Sequence, residues 1–570
     1  MKGSSLIKGF LFLLVIISFI FGFFTGRIVK NYPEIEGKNP FLSFRIIHVG
    51  DTHLYFQENS VPGGLGFSRM FSFLKYLKDK DNTQTIFTDS GDTFHGDPRG
   101  SLGKGRVAIK TWNEINKRLF DVYQAPGNHD FDWGDNLLKE RNIYGEKINW
   151  PLLSANTRFV NDSTKTFLGN DQSQYKIISL NKDGREIKIG VFGLTTPHTK
   201  NAAPRKMVSH VQFVSAVKAA KEAVHYLKEK GCKFIVAITH LGLSYPNVKE
   251  EGTSVGVMNK VKDVDLILDG HTHAVSQFIP RDRGKYNHRL ITNVGSGLTG
   301  IGITEIKFLL TPSNNLRNII VSDRIVSKES IDNLKGGGVI IGNDQKIDSF
   351  ISEEEKKIAK ELDKPITNSL GDQYILDKHH PLISDEKNSS ETNLANFTTD
   401  ICRFQFESDL TIIHNGMITD SVPEGYLTTR KLINAYRTAI FVRLYEFSGK
   451  LIKSLLKQSF FSELGKPSFL QVSNLTAKVD RDQKKITDVK INQRPVNDQQ
   501  KYLVATSIYP DSIPQVTDTY LKKNPEIYKL FPIDSSRSYL HEFIIDYLIN
   551  SSEISLPDYY QLNPHFKFIS

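Results

Sequence analysis

Five short polar clusters recur along the first half of the chain, and each of them follows an apolar run. They combine carboxylates, imidazoles and one amide, and they contain no thiol. Oxygen and imidazole donors of this kind suit Zn, Mn, Fe or Ni better than a soft-metal site. Polar groups so crowded are costly to bury unless something binds them. In chain order, the clusters are Asp51-Thr52-His53, Gly91-Asp92, Gly127-Asn128-His129-Asp130, His240 and Gly270-His271-Thr272-His273.

The joint pattern indicates a pair of divalent cations that act on a phosphoester. Two cations about 3.5–4 Å apart can clamp a phosphoryl oxygen and lower the pKa of a bridging water. One aspartate can bridge two ions, and Asp92 stands in the middle of the series. Each cluster alone is weak evidence, since a single histidine at the end of a strand is commonly structural and Asp-Gly pairs are common in turns. Their shared order and position make the whole pattern specific.

Alternating strands and helices are predicted to position these clusters between Phe44 and about Leu310. The runs FRIIHVGD, KFIVAITH and VDLILDGHTH read as buried strands, whereas FSRMFSFLKYLKDK and FVSAVKAAKEAVHYLKEK read as helices. This alternation is typical of an α/β domain. Because open α/β sheets carry their ligand sites beyond the carboxyl ends of strands, we expect the five clusters to meet there.

The length of 570 residues, with 39% hydrophobic and 24% charged residues, is sufficient for two globular domains. Turn-rich segments follow Leu310 and lead into the charged helical pattern KIDSFISEEEKKIAKELDK, which we interpret as a connector. A second α/β pattern then runs to the end. The predicted division is a targeting segment over 1–30, a first domain over 41–325, a linker helix over 326–370 and a second domain over 371–570.

The N-terminal segment is predicted to direct export. Lys2 and Lys8 flank the start of an uncharged apolar run from Gly9 to Phe24, typical of a signal peptide or a short membrane anchor. The lack of an obvious cleavage site before Arg27 favours an uncleaved anchor that attaches the protein to a membrane. Either alternative places the body of the protein in the periplasm, on the cell surface or in the medium.

The charge distribution gives no sign of a nucleic-acid partner, and the cysteine content predicts no disulfide. The net charge of +10 is spread along the chain, and no stripe of arginine and aromatic residues indicates a nucleic-acid partner. The two cysteines, Cys232 and Cys402, lie far apart, and we predict two buried free thiols rather than a disulfide.

The series of clusters resembles the calcineurin-like metallophosphoesterase superfamily, whose motifs read D-x-H, G-D, G-N-H-[DE], H and G-H-x-H in this order. The spacing of His129 and Asp132, and the segment PLLSANT, resemble the subgroup of 5'-nucleotidases and UDP-sugar hydrolases. The resemblance implies a four-layer αββα catalytic domain, a C-terminal α/β domain of the 5'-nucleotidase type and a helical linker. It also implies two divalent metal ions, Zn, Mn or similar.

The resemblance assigns a role to individual residues. His129 would lie over the phosphate and assist the transition state or the leaving group, and Asp132 would orient and charge it. Asp130 would have a supporting or structural role outside the catalytic set. The implied ligands are Asp51, His53, Asp92 and His273 for one metal ion, and Asp92, Asn128, His240 and His271 for the other.

The resemblance extends into the second half and covers about 44–530, through segments such as ETNLANFTTD, IIHNG, FSGKLIKSLL and SFLQVSN. The family's C-terminal domain binds the nucleoside between two aromatic rings, and Phe469 and Tyr509 match these positions. The alternative is that both rings are ordinary core aromatics. Asn415 begins the run that stands in place of the family's N-G-G-G-I-R, and Asp518 takes the aspartate's place in the family's G-G-D-G signature, which reads loosely as VTDT here.

One departure weakens the prediction of a nucleotide substrate. The family usually reads N-G-G-G-I-R after the central strand and grips its substrate with that arginine, whereas this chain reads Asn-Gly-Met-Ile-Thr-Asp and ends the run on Asp420. A carboxylate near a phosphate would repel it. Arg430 or Arg437 could supply the missing cation.

The sequence therefore predicts an enzyme, a metal-dependent hydrolase of a small-molecule phosphoester. 5'-Nucleotides are the favoured substrates, attacked in line at phosphorus by metal-activated water. Alternatives with the same chemistry are 2',3'-cyclic nucleotides, nucleotide sugars or a non-nucleotide ester, and hydrolysis of a sulfur ester is a remoter one. The alternative from another class is a non-catalytic surface protein that binds nucleotides or a partner. Metal identity, physiological substrate and oligomeric state stay open.

Overall fold

The computed structural model describes the chain from Phe41 onward, in segments. These segments are 41–97, 103–132, 142–143, 146–168, 174–182, 184–202, 208–243, 250–285, 288–311, 315–377, 382–384, 391–418, 420–436, 442–461, 469–508, 540–562 and 564–569. The predicted targeting segment, Arg437, Tyr509 and Asp518 lie outside the described residues. Within those residues, no helix combines the length and apolar character needed to cross a bilayer.

The first half of the described chain contains sixteen strands and five helices. The strands are β1 (Phe41–Val49), β2 (Gln84–Asp89), β3 (Asp121–Gln124), β4 (Asn142–Ile143), β5 (Glu146–Lys147), β6 (Thr157–Phe159), β7 (Asp162–Thr166), β8 (Tyr175–Lys182), β9 (Arg185–Thr195), β10 (Val211–Phe213), β11 (Phe234–His240), β12 (Leu266–Asp269), β13 (Val275–Phe278), β14 (Leu290–Val294), β15 (Ile301–Leu310) and β16 (Leu316–Val326). The helices are α1 (Phe67–Lys80), α2 (Arg106–Arg118), α3 (Thr199–Ala202), α4 (Ala216–Glu229) and α5 (Ser254–Lys260).

The second half, as far as the structure describes it, has ten strands and six helices. The helices are α6 (Lys328–Asp332), α7 (Gln345–Leu362), α8 (Asn393–Phe406), α9 (Thr429–Ala435), α10 (Gly449–Phe461) and α11 (Leu540–Asn550). The strands are β17 (Ile375–Leu376), β18 (Leu410–His414), β19 (Gly425–Tyr426), β20 (Arg443–Ser448), β21 (Leu470–Ser473), β22 (Leu475–Asp480), β23 (Lys485–Ile491), β24 (Arg494–Pro495), β25 (Lys501–Thr506) and β26 (Phe566–Ile569).

Two central sheets face each other in the first domain. One has the order β16-β15-β1-β2-β3, in which β1, β2 and β3 run parallel. The other has the order β13-β14-β12-β11-β9-β8, in which β9, β11, β12 and β14 run parallel. Helices α1, α2 and α7 cover the outer face of the first sheet, and α4 and α5 cover that of the second. The predicted αββα layering is confirmed.

Alternation along β1 shows why its sequence reads as a continuous apolar run. Phe44 and Ile46 point into the layer between the two sheets, while Ile47 and Val49 point to the helical layer outside. Successive side chains of a strand face opposite sides, and both sides are covered by apolar layers here. The strand therefore needs apolar residues at nearly every position.

Helix α7 covers the charged pattern that we interpret as a connector. It begins after Asp344, whose carboxylate accepts hydrogen bonds from the backbone N–H groups of Lys346 and Ile347. Ile347 belongs to the apolar cluster of the first domain, and the buried carboxylate of Glu354 lies 2.5 Å from the guanidinium of Arg106 on α2. The helix thus forms part of the outer layer of the first domain. The predicted domain bounds stay a prediction.

The second domain is built on two four-stranded sheets with the orders β20-β25-β18-β21 and β24-β23-β22-β26. Apolar side chains of α8, α9 and α11 form one core cluster of this domain, and those of α10 form another with β22, β23 and β25. Cys402 lies buried on α8, and Cys232 lies buried just before β11. Both thiols are free, as predicted.

Candidate metal centre

The five polar clusters lie at the carboxyl ends of parallel strands of both central sheets. Asp51 follows β1, Asp92 follows β2 and Asn128 follows β3. From the other sheet, His240 ends β11 and His271 follows β12. Since the two sheets face each other, these strand ends meet at one edge of the sandwich.

The first predicted ligand group is assembled in the structure. Asp51, His53, Asp92 and His273 each place one ligand atom within 4.8 Å of the others. The Nε2 atom of His53 lies 2.9 Å from Nε2 of His273 and 3.7 Å from Oδ2 of Asp92. The Nε2 atom of His273 lies 3.5 Å from Oδ1 of Asp51. Two imidazoles and two carboxylates are a donor set that fits a divalent transition metal.

The second predicted group shares Asp92 with the first. Ligand atoms of Asp92, His240 and His271 lie within 4.8 Å of one another, with 3.1 Å between His240 Nε2 and Asp92 Oδ2. Asn128 is fully buried, and neither polar atom of its side chain has a hydrogen-bond partner among the described residues. A buried amide left unpaired costs about 1–3 kcal/mol, and a cation beside the amide oxygen would remove that cost. Asp92 is thus common to both groups of ligand atoms, and it would be the carboxylate that two cations share.

Backbone carbonyls fix the tautomers of two of these histidines. The Nδ1 atom of His53 lies 3.0 Å from the carbonyl oxygen of His95, and Nδ1 of His240 lies 2.6 Å from that of Ser90. A carbonyl oxygen only accepts, so each Nδ1 donates and the lone pair of a neutral ring is on Nε2. This is the usual arrangement of a histidine that binds a metal ion. The residues present therefore fit a pair of divalent cations.

The electrostatics of the cluster favour positive charge beside Asp92. Burial alone would raise the pKa of Asp92, yet His240 and His129 hold it well below its usual value. Burial alone would lower the pKa of His240, but the attraction of the Asp92 carboxylate raises it to about 10. Burial and the neighbouring His273 lower the pKa of His53 to about 3, so its ring is neutral.

Backbone strain is concentrated at the predicted ligands. A positive φ angle puts a residue in the left-handed region, which is uncommon for residues with a side chain. It costs on the order of 1–3 kcal/mol per residue, so it persists where the surrounding structure imposes it. Five ligands lie in this region: Asp51 (φ 49°), His53 (φ 46°), Asp92 (φ 54°), His271 (φ 79°) and His273 (φ 55°).

The predicted catalytic pair lies next to the shared ligand. His129 begins a short 3-10 turn, and its Nδ1 lies 2.5 Å from Oδ2 of Asp132. Burial would raise the pKa of Asp132, but the His129 ring lowers it, so the carboxylate is ionised and accepts the hydrogen bond. The backbone N–H of His129 also donates to Asp92 Oδ1 at 2.8 Å. The pair is thereby fixed relative to both ligand groups.

Asp130 joins two of the strand-end loops. Its carboxylate accepts four backbone N–H bonds, from Asp92, Thr93, Phe94 and Gly127, at 2.8–3.0 Å. The expected supporting role agrees with this geometry. The absence of a side chain at Gly127 is also required, since a Cβ atom there would lie 2.1 Å from Oδ1 of Asp92.

His95 is a buried histidine of the site that sequence reasoning missed. Its ring stacks on that of His129 with 5.5 Å between centroids, and its Nδ1 lies 3.1 Å from Oδ2 of Asp132. The signal was available, because His95 stands three residues after Asp92 in the segment GDTFHGD. It was missed because no expected motif contains it.

The substrate-binding residues predicted in the second domain are only partly described. Phe469 is 3% exposed, and its ring meets those of Phe460 and Phe566 edge-on at 5.4 and 6.0 Å. Asn415 is buried after β18, and its Oδ1 accepts a hydrogen bond from Gln471 Nε2 at 2.7 Å. The stacking role of Phe469 and the binding role of Asn415 stay predictions, as do the roles of Tyr509 and Asp518, which lie outside the described residues.

The loop that departs from the expected motif carries its carboxylate outward. Asp420 is exposed, and its Oδ1 accepts a hydrogen bond from the backbone N–H of Ser421. Arg430, one candidate for the missing cation, pairs with Asp363 at 2.6 Å. The other candidate, Arg437, is not among the described residues.

Comparison with known proteins supports the assignment of both domains. The family model described as calcineurin-like phosphoesterase matches residues 44–275, and that of the 5'-nucleotidase C-terminal domain matches residues 375–512. These matches confirm the resemblance noted in the sequence.

Two curated relatives and one solved structure are similar over most of this chain. The trifunctional nucleotide phosphoesterase protein YfkN of Bacillus subtilis is 23% identical over 81% of this chain, which spans only 31% of that relative's length. A 5'-nucleotidase of Vibrio parahaemolyticus is 22% identical over 90% of both chains. The structure of NAD nucleotidase from Haemophilus influenzae has a TM-score of 0.66 at 18% identity, and the match covers 93% of this chain and 100% of that one. This last likeness concerns the fold.

Proposed function

The chain belongs to the 5'-nucleotidase family of two-domain calcineurin-like metallophosphoesterases, and from this premise we propose that it hydrolyses phosphoesters with two divalent metal ions. The observation that carries the proposal is the convergence of two groups of ligand atoms on Asp92. A protein that only binds a partner has no need of such a set, nor of the His129–Asp132 pair beside it.

Residues of this chain supply positioning and proton transfer. When bound, the two cations would offset the charge of a phosphoryl group and make water nucleophilic at neutral pH. Asp132 holds the Nδ1 proton of His129, which leaves Nε2 as the nitrogen that can exchange a proton with the leaving group. The ionised Asp132 also stabilises positive charge on that ring during transfer.

The favoured substrates are 5'-nucleotides, which would yield a nucleoside and phosphate. The match of the second domain to the 5'-nucleotidase C-terminal domain supports this choice, as do the names of the two relatives. Zn or Mn are the favoured ions, because the ligands combine imidazole nitrogen with carboxylate and amide oxygen.

A second group of substrates is supported by the acidic loop residue Asp420. A phosphomonoester carries a charge of about −1.5 to −2 at neutral pH, so a carboxylate in place of an arginine repels it more strongly than a singly charged diester. The alternative that this charge argument favours is therefore a 2',3'-cyclic nucleotide. Nucleotide sugars, whose pyrophosphate carries two charges, and non-nucleotide esters are the remaining options.

The test is a phosphate-release screen over 5'-nucleotides, 3'-nucleotides, cyclic nucleotides and nucleotide sugars. Hydrolysis of a diester releases no free phosphate, so the diesters are assayed with a coupled phosphatase. Zn, Mn and Co are added separately to protein that has been treated with a chelator. We expect release from 5'-nucleotides with Zn or Mn, and none for Asp92→Asn. If protein that carries two ions per chain hydrolyses no phosphoester, including p-nitrophenyl phosphate, the proposal is wrong.

We further propose that the apolar run from Gly9 to Phe24 exports the protein and anchors it to a membrane. Fractionation of cells that express the full chain tests this, with a chain that lacks residues 1–30 as control. Recovery of the full chain in the cytosolic fraction would contradict it.

A further inference from the structure

Three side chains next to the metal centre form a cluster that the proposed reaction uses only in part. They are His95, His129 and Asp132, called the His95 site below. One ligand atom from each lies within 4.8 Å of the other two. His95 and His129 are buried and Asp132 is partly buried, and the three side chains are 4%, 6% and 7% exposed, respectively. The reaction needs His129 and Asp132 but gives no role to His95.

The donor atoms of this cluster match a third cation site. Two imidazole nitrogens and one carboxylate are a common ligand set for zinc, with a fourth position left for water. The Nδ1 atom of His95 lies 3.1 Å from Oδ2 of Asp132, so this imidazole adjoins the Asp132 carboxylate.

The Oδ1 atom of Asp132 is a second, independent observation that points to a bound cation. Within the described residues, Oδ1 of Asp132 is buried and has no hydrogen-bond partner. A buried carboxylate oxygen without a partner is costly, and a cation bound to it would remove that cost. Coordination through Oδ1 would also relax the 2.5 Å approach between Oδ2 and His129 Nδ1, which is too short for two ligands of one ion.

We propose that the His95 site binds a third divalent cation, zinc in the first instance, and that this ion inhibits the enzyme. Zinc on Nδ1 of His129 needs the lone pair of that nitrogen, so the proton shared with Asp132 is released from Nδ1 to the solvent. The hydrogen bond between His129 and Asp132 is then lost, and with it the orientation of the ring. The inhibition rests on the proposed function, whereas the binding of the third ion does not.

The first test counts ions. Chelated full-length protein is titrated with Zn²⁺ in a calorimeter, and the metal content is measured after equilibration at each free concentration. We expect two tightly bound ions and a weaker third in the wild type, and loss of the third in His95→Gln and in the isosteric Asp132→Asn. The matched control is His225→Gln, which removes an exposed histidine from α4 and should keep all three.

The second test measures turnover of a 5'-nucleotide, whose alkoxide leaving group needs a proton, against free Zn²⁺. Wild-type activity should rise as two ions bind and then fall on the order of a hundredfold as the third binds, the usual contribution of acid–base catalysis. The His95→Gln variant should retain its maximal turnover at high Zn²⁺ concentration. Excess Mn²⁺ should not inhibit the wild type, because Mn²⁺ prefers oxygen donors.

Several outcomes overturn the inference. One is a wild type that never binds more than two ions, and another is a third ion that both His95→Gln and Asp132→Asn retain. A third is reduced turnover of His95→Gln at every Zn²⁺ concentration with no change in the ion count, which would make His95 a positioning residue only. Absence of hydrolysis by protein that carries only two ions per chain would instead contradict the proposed function.

Discussion

At the scale of single residues, the proposed reaction depends on one short hydrogen bond between His129 Nδ1 and Asp132 Oδ2. The carboxylate determines which ring nitrogen carries the proton and stabilises the charged ring. The seven predicted metal ligands are separate from this pair, so proton transfer and metal binding can be disturbed independently.

Replacement of His129 should impair proton transfer and leave the binding of the two tightly bound ions intact. His129→Asn should lower kcat for a 5'-nucleotide by about 10²–10⁴, because proton transfer to its alkoxide leaving group is lost. The two tightly bound ions should remain, since His129 belongs to neither predicted ligand group. Steady-state kinetics and metal analysis on the same preparation check this, with His225→Asn as control. A variant that keeps full turnover would remove His129 from the catalytic set.

At the scale of elements, the loops after β2 and β3 are packed against each other so closely that Gly127 leaves no room for a side chain. In Gly127→Ala the new Cβ would press on Asp92 Oδ1, the carboxylate shared by both ligand groups. We expect at least a tenfold loss of zinc affinity, since changes around metal ligands commonly cost 10–100-fold. Calorimetric titration measures it.

Gly336→Ala is the control for this change, because no atom lies within 4 Å of the position that its Cβ would take. Its zinc affinity should equal that of the wild type. If Gly127→Ala binds zinc equally well, the loop must move more easily than its packing indicates.

A second element-scale prediction concerns the ion pair that ties β1 to the end of α1. The buried guanidinium of Arg45 donates two hydrogen bonds to Asp81, at 3.1 and 2.6 Å. This bond from Arg45 is the main cause that lowers the pKa of Asp81 below its usual 3.8. The pair therefore stabilises the fold at pH values above 3.8, and its contribution is lost as the pH falls below that value.

Asp81→Asn should reduce the free energy of unfolding by about 1 kcal/mol at pH 7, because the 36% exposure of Asp81 screens the pair. The difference in unfolding free energy between the variant and the wild type should be constant from about pH 5 to 8. It should shrink below about pH 4, the usual range of an aspartate pKa. Urea unfolding at a series of pH values measures it. A difference that grows on acidification would contradict the sign.

The sequence allowed correct predictions where a local pattern determines the position of a residue in the fold. The strand ends could be predicted because buried strands read as apolar runs and parallel strands collect their ligands at one edge. It could not supply tertiary details, such as the four backbone N–H groups that meet Asp130 or the contact of Phe469 with Phe566, which is remote in the chain. His95 stands three residues after Asp92 but belongs to no expected motif, and its contact with Asp132 forms only in the folded chain.

At the scale of the whole molecule, the candidate metal centre joins the two central sheets. Asp51, His53 and Asp92 come from one sheet, and His240, His271 and His273 come from the other. An ion held by both sheets binds the folded chain and not the unfolded one, so its binding energy adds to the stability of the fold.

Removal of metal should therefore destabilise the protein. At a free concentration a hundred times the dissociation constant, each ion contributes about 2.7 kcal/mol. We expect the thermal midpoint of the metal-loaded protein to fall by several degrees on chelation, as measured by calorimetry. Asp92→Asn, which loses the shared ligand, should respond much less. Equal midpoints with and without chelator would show that the ions do not join the sheets.

The pairing of β1 with β15 has a consequence for biosynthesis. During translation, Asp51 and Asp92 leave the ribosome long before His271 and His273, and β15, the partner of β1, follows later still. Neither ion position is complete on a nascent chain until the second sheet has been made. Both ligand groups can therefore bind cations only after His273 has been synthesised, and β1 acquires its partner β15 later still.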